Sequence, residues 1–104
     1  MTSAPGEGKP LTLQMQPFEW DSEESVAYEA AVEAVNEVVG AYSARIATEE
    51  AEPVPDAARI AAAEAGQAEC ARRREQLDPA DHAQISAARH EFSERARQIR
   101  AGVA

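Results

Sequence analysis

The sequence offers few residues whose side chains commonly take part in chemistry. It holds one cysteine, Cys70, and two histidines, His82 and His90, among 104 residues. Cys70 could act as a nucleophile or redox group if it were exposed and the arginines at 72–74 lowered its pKa. It falls instead on the apolar stripe of an alanine-rich segment, so we expect a small, buried hydrophobic side chain. A single cysteine also excludes an intrachain disulfide and a cysteine-based metal cluster.

The two histidines do not have the spacing of a metal site in a helical bundle. A di-metal site of that kind needs glutamates on two helices and Glu-x-x-His on the others. Neither His82 nor His90 has a glutamate three residues before it. The sequence also lacks a glycine-rich phosphate loop and a spacing that suits a Ser-His-Asp triad. It therefore predicts no catalytic residues, no metal, no cofactor and no enzyme activity.

Three glutamates, Glu29, Glu33 and Glu37, form a row at i, i+4 spacing with no lysine or arginine among them. Like charges at this spacing weaken an isolated helix by roughly 0.2–0.5 kcal/mol per pair. Three interpretations remain open. The row is an acidic face that binds a basic partner, a row that pairs with arginines of the third predicted helix, or a solvated face that keeps the protein soluble.

Charge is distributed unevenly along the chain, whose net charge is −9. Residues 1–52 include 11 acidic and 2 basic residues, whereas residues 53–104 include 8 of each. Such a chain repels phosphate, which disfavours nonspecific binding to nucleic acid or to an anionic membrane surface, and we expect no membrane partner. No segment is apolar over the ~18 residues that a bilayer span needs, and residues 1–10 do not resemble a signal peptide. These features favour a cytoplasmic protein.

Alanine dominates the apolar residues, which leaves few large side chains for a core. The chain has 24 alanines, while Leu, Ile, Val and Phe together make 16 of 104 residues. That composition, with the net charge, lies in the range where disorder must be considered. Half of the chain, however, is Ala, Glu, Lys, Leu or Arg, as in long helices and coiled coils. One lysine against nine arginines also suggests a bacterial genome rich in G and C.

Prolines divide the chain into a tail, an arm and three helices. Pro10 and Pro17 bracket the segment "LTLQMQ", whose apolar and polar residues alternate as in an extended strand. Pro53 and Pro55 end the first helix because proline cannot donate the helical hydrogen bond. We expect a flexible tail at 1–10, an extended arm at 11–20 and a helical domain at 21–101, with helices at about 22–50, 57–76 and 79–100.

Capping residues set the predicted ends of these helices. Asp21 or Ser22 can cap the first helix, Asp56 can cap the second, and Asp78 can cap the third. Gly102 suits the end of the third helix because glycine readily adopts the left-handed conformation.

The first predicted helix has an unbroken stripe of large apolar residues at heptad spacing. Its members are Tyr28, Val32, Val35, Val39, Tyr42 and Ile46. The second helix has a weaker stripe that consists of Ile60, Ala63, Gln67, Cys70, Arg74 and Leu77. The third helix has Ile85, Ala88, Phe92, Ala96, Ile99 and Val103. These stripes predict an all-α three-helix bundle with a long, heptad-patterned first helix.

The apolar stripe of the first helix has larger side chains than the stripes of the other two helices, so these two helices cannot cover all of its apolar surface. We therefore expect a second copy or another protein to cover the remainder, and a homodimer is favoured over a stable monomer. The residues expected at this partner or dimer interface are Leu11, Leu13, Met15, Phe18, Trp20, Tyr28, Val32, Val35, Val39 and Tyr42.

Two glycines, Gly40 and Gly66, fall inside the first and second helices at nearly the same level of the predicted hairpin. Glycine inside a helix costs about 1 kcal/mol relative to alanine. The pair either marks a close helix crossing or consists of tolerated surface glycines, and both interpretations remain open.

Together, the net negative charge, the helical stripes and the uncovered apolar surface favour a small, acidic, helical module that binds other proteins. It would be an adaptor, an assembly factor or an inhibitor of a basic partner, and it would self-associate. The alternative is a DNA-binding regulator. An extended arm before helices in an intertwined dimer resembles the ribbon-helix-helix mode, in which Thr12, Gln14 and Gln16 would contact the major groove.

Overall fold

A computed structural model describes the backbone of residues 3–103 and the side chains of residues 22–103. The chain forms three α-helices: α1 (Ser3–Glu50), α2 (Ala57–Glu75) and α3 (His82–Arg100). Residues 3–103 contain no strand. The predicted all-α fold with three helices is therefore confirmed for this part of the chain.

The first helix begins earlier than the sequence predicts. In the structure α1 is a single helix from Ser3, so the extended arm predicted at 11–20 is not confirmed. The side chains of the five arm residues expected at an interface lie outside the described part of the chain; they are Leu11, Leu13, Met15, Phe18 and Trp20. The packing predicted for them stays a prediction.

The connection between α1 and α2 confirms the prolines as breaks and Asp56 as a cap. Helix α1 ends at Glu50, and Pro53 lies in the connection that follows. The Asp56 carboxylate accepts hydrogen bonds from the backbone N–H groups of Ala58, at 3.0 Å, and Arg59, at 3.2 Å. These are donors that a helix cannot satisfy by itself. Asp56 therefore fixes where α2 begins.

The start of α3 differs from the prediction, since the helix begins at His82 and not at 79. Asp78, the predicted cap, accepts from the Ala80 N–H at 3.0 Å within a turn. Asp81 is the actual cap and accepts from the Gln84 N–H at 3.1 Å. Because residues 78–80 form this turn, they cannot also form the first turn of the helix. The cap therefore lies three positions further along the chain, at Asp81.

Gly102 ends α3 as predicted. Its φ of +81° lies in the left-handed region, which glycine adopts without a Cβ clash. The N–H of Gly102 donates to the carbonyl of Ile99 and that of Val103 to the carbonyl of Gln98, each at 3.0 Å. This pair of bonds is a Schellman motif, which satisfies carbonyls left open at a helix end.

Helix α2 lies antiparallel to α1. Gln67, in the middle of α2, donates to the carbonyl of Val39 at 3.0 Å and to Ser43 Oγ at 2.9 Å. Near the end of α2, Arg74 donates to Asn36 Oδ1 at 2.5 Å. Contacts therefore move toward the start of α1 as α2 advances, and α2 ends about level with Asn36.

Helix α3 lies parallel to α1. At its start His82 Nε2 lies 2.9 Å from Glu24 Oε2. At its end the carbonyl of Ile99 accepts from Arg45 at 3.3 Å. Both α2 and α3 pack on α1, yet within the described chain no Cα atom of α2 lies within 8 Å of one in α3. Helix α1 is thus the shared surface that holds the other two.

The core lies along α1, where it faces α2 and α3. Its largest fully buried side chains are Phe92, Val35, Val38 and Cys70. Four alanines from α1 and α3 also belong to the buried cluster. The buried cluster consists of Ala34, Val35, Val38, Ala41, Cys70, Ala88, Phe92, Ala96 and Ile99, with Val39, Tyr42 and Leu77 packed against it.

The predicted stripes of α2 and α3 face this core almost throughout. Five members of the α3 stripe are buried, while the sixth, Val103, is 75% exposed beyond the helix end. In α2, Ala63 and Cys70 are buried and the other four members are half-buried. The two polar members, Gln67 and Arg74, bond to α1 as described above, which explains how polar side chains fit in this stripe.

The predicted stripe of α1 lies at one edge of its buried face. The buried residues of α1 are Ala31, Ala34, Val35, Val38 and Ala41. Val32, Val39 and Tyr42 of the predicted stripe are half-buried, and Val39 and Tyr42 lie on the flank that faces α2. Because α1 packs against two helices, its buried face is broader than one heptad stripe and is centred between them.

Candidate interaction surface

The part of α1 before Asn36 has a helix on only one side within residues 22–103. Helix α2 ends at Glu75, whereas the start of α3 reaches Glu24 through His82. Tyr28 and Val32, two residues predicted for an interface, lie in this part and are half-buried. The bundle therefore narrows from three helices to two toward the beginning of α1.

A shallow groove runs along this part of α1 beside α3. Its volume is about 510 Å³, and it is lined by Ser22, Glu23, Val26, Ala27, Ala30 and Arg89. We call it the α1 groove. Val26, one of these lining residues, is 67% exposed, so it is a large apolar side chain that α3 does not cover. Small apolar neighbours and one exposed valine give the groove an apolar floor that another helix could pack against.

A second groove continues from the first, on the side toward the start of α3. It has a volume of about 370 Å³ and is lined by Glu23, Glu24, Ala27, Pro79, His82, Ile85, Ser86 and Arg89. The two grooves share Glu23, Ala27 and Arg89. The concave surface thus extends along both α1 and the first turns of α3.

The predicted acidic row lies on the exposed side of α1 next to the α1 groove. Glu29, Glu33 and Glu37 are all exposed. Glu37 lies 3.8 Å from Arg100 of α3, whereas Glu29 and Glu33 form no ion pair with the described residues. Pairing of the row with arginines of α3 is therefore seen for Glu37 alone among the three glutamates, and its distance to Arg100 is long for an ion pair.

Three other predicted interface residues belong to the intramolecular core. Val35 is fully buried, and Val39 and Tyr42 pack against the buried cluster. Their burial within one chain removes part of the apolar surplus that predicts a homodimer. The surface that a partner could reach on α1 therefore begins nearer to its N-terminus, at Val32 and the residues before it.

Val26 is an exposed apolar residue that the sequence-based prediction of interface residues did not include. It stands outside the heptad stripe, between Glu23 and Glu29, in the segment "EESVAYE". A branched apolar side chain among acidic residues on the outer side of a helix is a usable signal, because such positions are usually polar. Heptad spacing alone does not find it.

A charged cluster joins α2 to α3 at the middle of the bundle. The Glu91 carboxylate accepts two hydrogen bonds from Arg73, at 2.8 and 3.1 Å, and lies 3.4 Å from Arg95. The guanidinium carbons of Arg73 and Arg95 lie 4.8 and 5.1 Å from the centre of the Phe92 ring. Cation–π contacts of this geometry stabilise the packing of both arginines over the buried ring.

Within this cluster, the hydrogen bond between Arg73 and Glu91 shifts the pKa of both groups. The hydrogen bond from Arg73 lowers the pKa of the Glu91 carboxyl below its ordinary value, and burial opposes this in part. The same bond raises the pKa of Arg73. Both groups are therefore held in their charged forms, which is the behaviour of a structural ion pair between helices.

Cys70 is buried as predicted. Its side chain has no exposed surface and belongs to the core cluster. Burial raises the pKa of the thiol, and this outweighs the opposing effect of Arg95. A raised pKa keeps the group in the less nucleophilic thiol form.

A third cleft lies at the opposite end of the bundle and has a volume of about 730 Å³. One arginine from each helix lines it: Arg45, Arg59 and Arg100. Arg45 donates to the Ile99 carbonyl, and Arg59 lies 3.3 Å from Glu49. Because these guanidinium groups already bind acceptors of the same chain, the cleft has little unpaired positive charge for a ligand.

Residues 22–103 bring together no group of three or more His, Cys, Asp or Glu side chains that could hold a metal ion. In the described part of the chain, none of the helices combines the length and the apolar character of a membrane span.

The DNA-binding alternative depends on Thr12, Gln14 and Gln16. Their side chains lie outside the part of the chain whose side chains the structure describes.

Comparison of the chain with protein families, with curated proteins and with solved structures finds no match.

Proposed function

We propose that this chain is a protein–protein interaction module that binds through the α1 groove and acts as a binding protein, not as an enzyme. The observation that supports it most directly is the 67% exposure of Val26, which lines the groove. Exposed apolar side chains in a concave surface favour association, because a partner removes them from water. An adaptor, an assembly factor or an inhibitor would each use such a surface.

The shape of the bundle supports the same proposal. Within residues 22–103, α2 stops near Asn36, so α3 is the only helix beside the α1 segment at 22–33, and the α1 groove lies open next to it. A helix from a partner could lie there as a third helix and extend the bundle. Tyr28 and Val32, which are half-buried, do not line the groove, so a partner helix in the groove would cover Val26 and leave these two residues as they are. The partner in this proposal is either a second copy, as the sequence predicts, or a different protein.

Site-specific photo-crosslinking in the native cell tests the proposal. A benzophenone amino acid replaces Val26 in the full chain, and a matched variant carries it at Ala68, an exposed position of α2 outside all three grooves. We expect a discrete adduct from position 26 and none from position 68, read by gel mobility and mass spectrometry. Equal adducts from both positions, or no adduct from position 26, would contradict the proposal.

A further inference from the structure

We propose that the α1 groove binds a basic amphipathic helix of a different protein, and not a second copy of this chain. This inference rests on the proposed function and adds the chemistry of the partner. It is carried by the charges that surround the apolar floor of the groove. The geometry of those charges also indicates which side of the partner helix is basic.

The floor of the groove suits a helix. Val26 and Ala30 lie at i and i+4, which places them on one side of α1, and Ala27 lines the groove on the neighbouring side. Two of the three are alanines, so the backbone of another helix could approach closely while Val26 packs between its side chains. The segment at 22–33 is about 18 Å long at 1.5 Å per residue, which matches a partner helix of about three turns.

The outer edge of the groove is acidic. Glu29 and Glu33 follow Val26 by three and seven residues, so they lie on the same side of the helix, away from α3. Neither forms an ion pair with any described residue, and Glu23 inside the groove forms none either. From residue 22 to residue 44, α1 has no lysine or arginine. A partner with lysine or arginine on the facing flank would complement this edge.

The inner edge of the groove has the opposite charge. Arg89 of α3 lines it, across the floor from Glu29 and Glu33. We therefore expect the basic residues of the partner helix to lie on the flank that faces away from α3. The flank toward Arg89 would be neutral or acidic. This asymmetry gives the partner a defined orientation in the groove.

A second copy of the chain does not supply such a helix. Pairing α1 with its own copy would bring the same unpaired glutamates toward each other. The arginines of the copy are mostly engaged within their own chain: Arg59 with Glu49, Arg73 with Glu91, Arg74 with Asn36, Arg97 with Glu94 and Arg100 with Glu37. Charge therefore favours a partner that is basic in its own right.

A peptide of defined charge tests the inference with the full chain. The probe is a fluorescent synthetic helix of about 14 residues, with apolar residues at i, i+4 and i+7 and lysines on one flank. A Glu29→Lys, Glu33→Lys variant is compared with a Glu64→Lys, Glu75→Lys variant. All four glutamates are exposed and without an ion pair in the described residues, and each variant changes the net charge from −9 to −5.

We expect the first variant to bind the peptide about 10-fold more weakly than the unchanged chain, by fluorescence anisotropy, because two facing charge pairs become repulsive. The second variant should weaken binding less than about 3-fold, since only the long-range field changes. Circular dichroism checks that both variants fold. No binding of the peptide, or an equal loss in both variants, would overturn the inference.

The outcomes separate this inference from the proposed function. Suppose that the crosslinker at position 26 captures a partner and that the Glu29→Lys, Glu33→Lys changes leave that adduct intact. The proposed interaction surface is then supported, and the inference that the partner is basic is rejected. An adduct that mass spectrometry identifies as a dimer of this chain likewise rules out the basic partner and keeps the surface. If position 26 captures nothing, the proposed function itself fails.

Discussion

Gly66 of α2 lies against the phenol ring of Tyr42 on α1. A Cβ atom built on Gly66 would stand 2.5 Å from Cε2 and 2.9 Å from the hydroxyl oxygen of that ring. The same atom built on Gly40 would meet nothing within 4 Å. The close crossing that the two glycines suggest therefore involves Gly66 and a side chain of α1, while Gly40 is a tolerated glycine on an open face.

The two glycines predict opposite responses to alanine. Gly40→Ala should stabilise the fold by up to about 1 kcal/mol, because alanine is the better helix former and has room. Gly66→Ala gains the same propensity but must displace the Tyr42 ring, which costs about 1–3 kcal/mol. Urea denaturation of both variants measures the difference. A Gly66→Ala variant as stable as Gly40→Ala would show that the contact with Tyr42 is easily relieved.

The Glu91 pair predicts a loss of stability in acid. The pKa of the Glu91 carboxyl is lowered in the folded state, chiefly by the hydrogen bond from Arg73. The ion pair therefore stabilises the fold fully at pH values above 4.5, the ordinary pKa of this group. This contribution declines as the pH falls through the lowered pKa. Because the Glu91 side chain is 42% exposed, solvent limits it to about 0.2–1 kcal/mol.

A Glu91→Gln variant isolates this effect. It should be less stable than the unchanged chain at neutral pH and should approach it in stability as the pH falls below 4.5. Glu75→Gln is the matched control, since Glu75 is exposed and has no ion pair among the described residues. Thermal unfolding at several pH values gives the comparison. Parallel curves for the two variants would argue against the pair.

Cys70 predicts slow labelling of the native protein. Its burial and raised pKa both hinder attack on a thiol reagent, so iodoacetamide should react at least about 100-fold more slowly than in denaturant. An Ala68→Cys change in a Cys70→Ala background provides an exposed thiol on the same helix. Mass spectrometry over time measures both rates. Equal rates for the two thiols would mean that α2 opens readily.

The cap of α3 gives a prediction about two neighbouring aspartates. Asp81→Ala removes the acceptor of the Gln84 N–H and should cost about 1 kcal/mol. Asp78→Ala removes only a turn contact to Ala80 and should cost less than about 0.5 kcal/mol. Denaturation midpoints of the two variants decide the order. A larger cost for Asp78→Ala would restore the helix start that the sequence suggested.

Much of the bundle was predictable because α2 and α3 each bury one narrow stripe. For such a helix, periodicity alone identifies residues such as Cys70 and Phe92 as core. Periodicity was less informative for α1, which packs against two helices at once. There the spacing of large side chains emphasised Val39 and Tyr42, whereas Ala31 and Val38, which lie outside that stripe, are fully buried.

The candidate interaction surface was harder to predict than the core, because it depends on which apolar side chains of α1 the other helices leave exposed. Val26 becomes a candidate only once the structure shows it exposed in a groove beside Arg89 of α3. The bond from Arg73 to Glu91 was likewise hidden, since local spacing pairs Arg73 with Glu69 on its own helix. Contacts between helices decide both features, and the sequence of one helix does not contain them.

The role of α1 as the shared surface has a consequence for the order of folding. Contacts of α2 with α1 join residues such as Ser43 and Gln67, 24 positions apart, while those of α3 join Glu24 and His82, 58 positions apart. Closing the shorter loop loses less chain entropy. We therefore expect the α1–α2 hairpin to form first and α3 to dock last, onto a surface that is already half built.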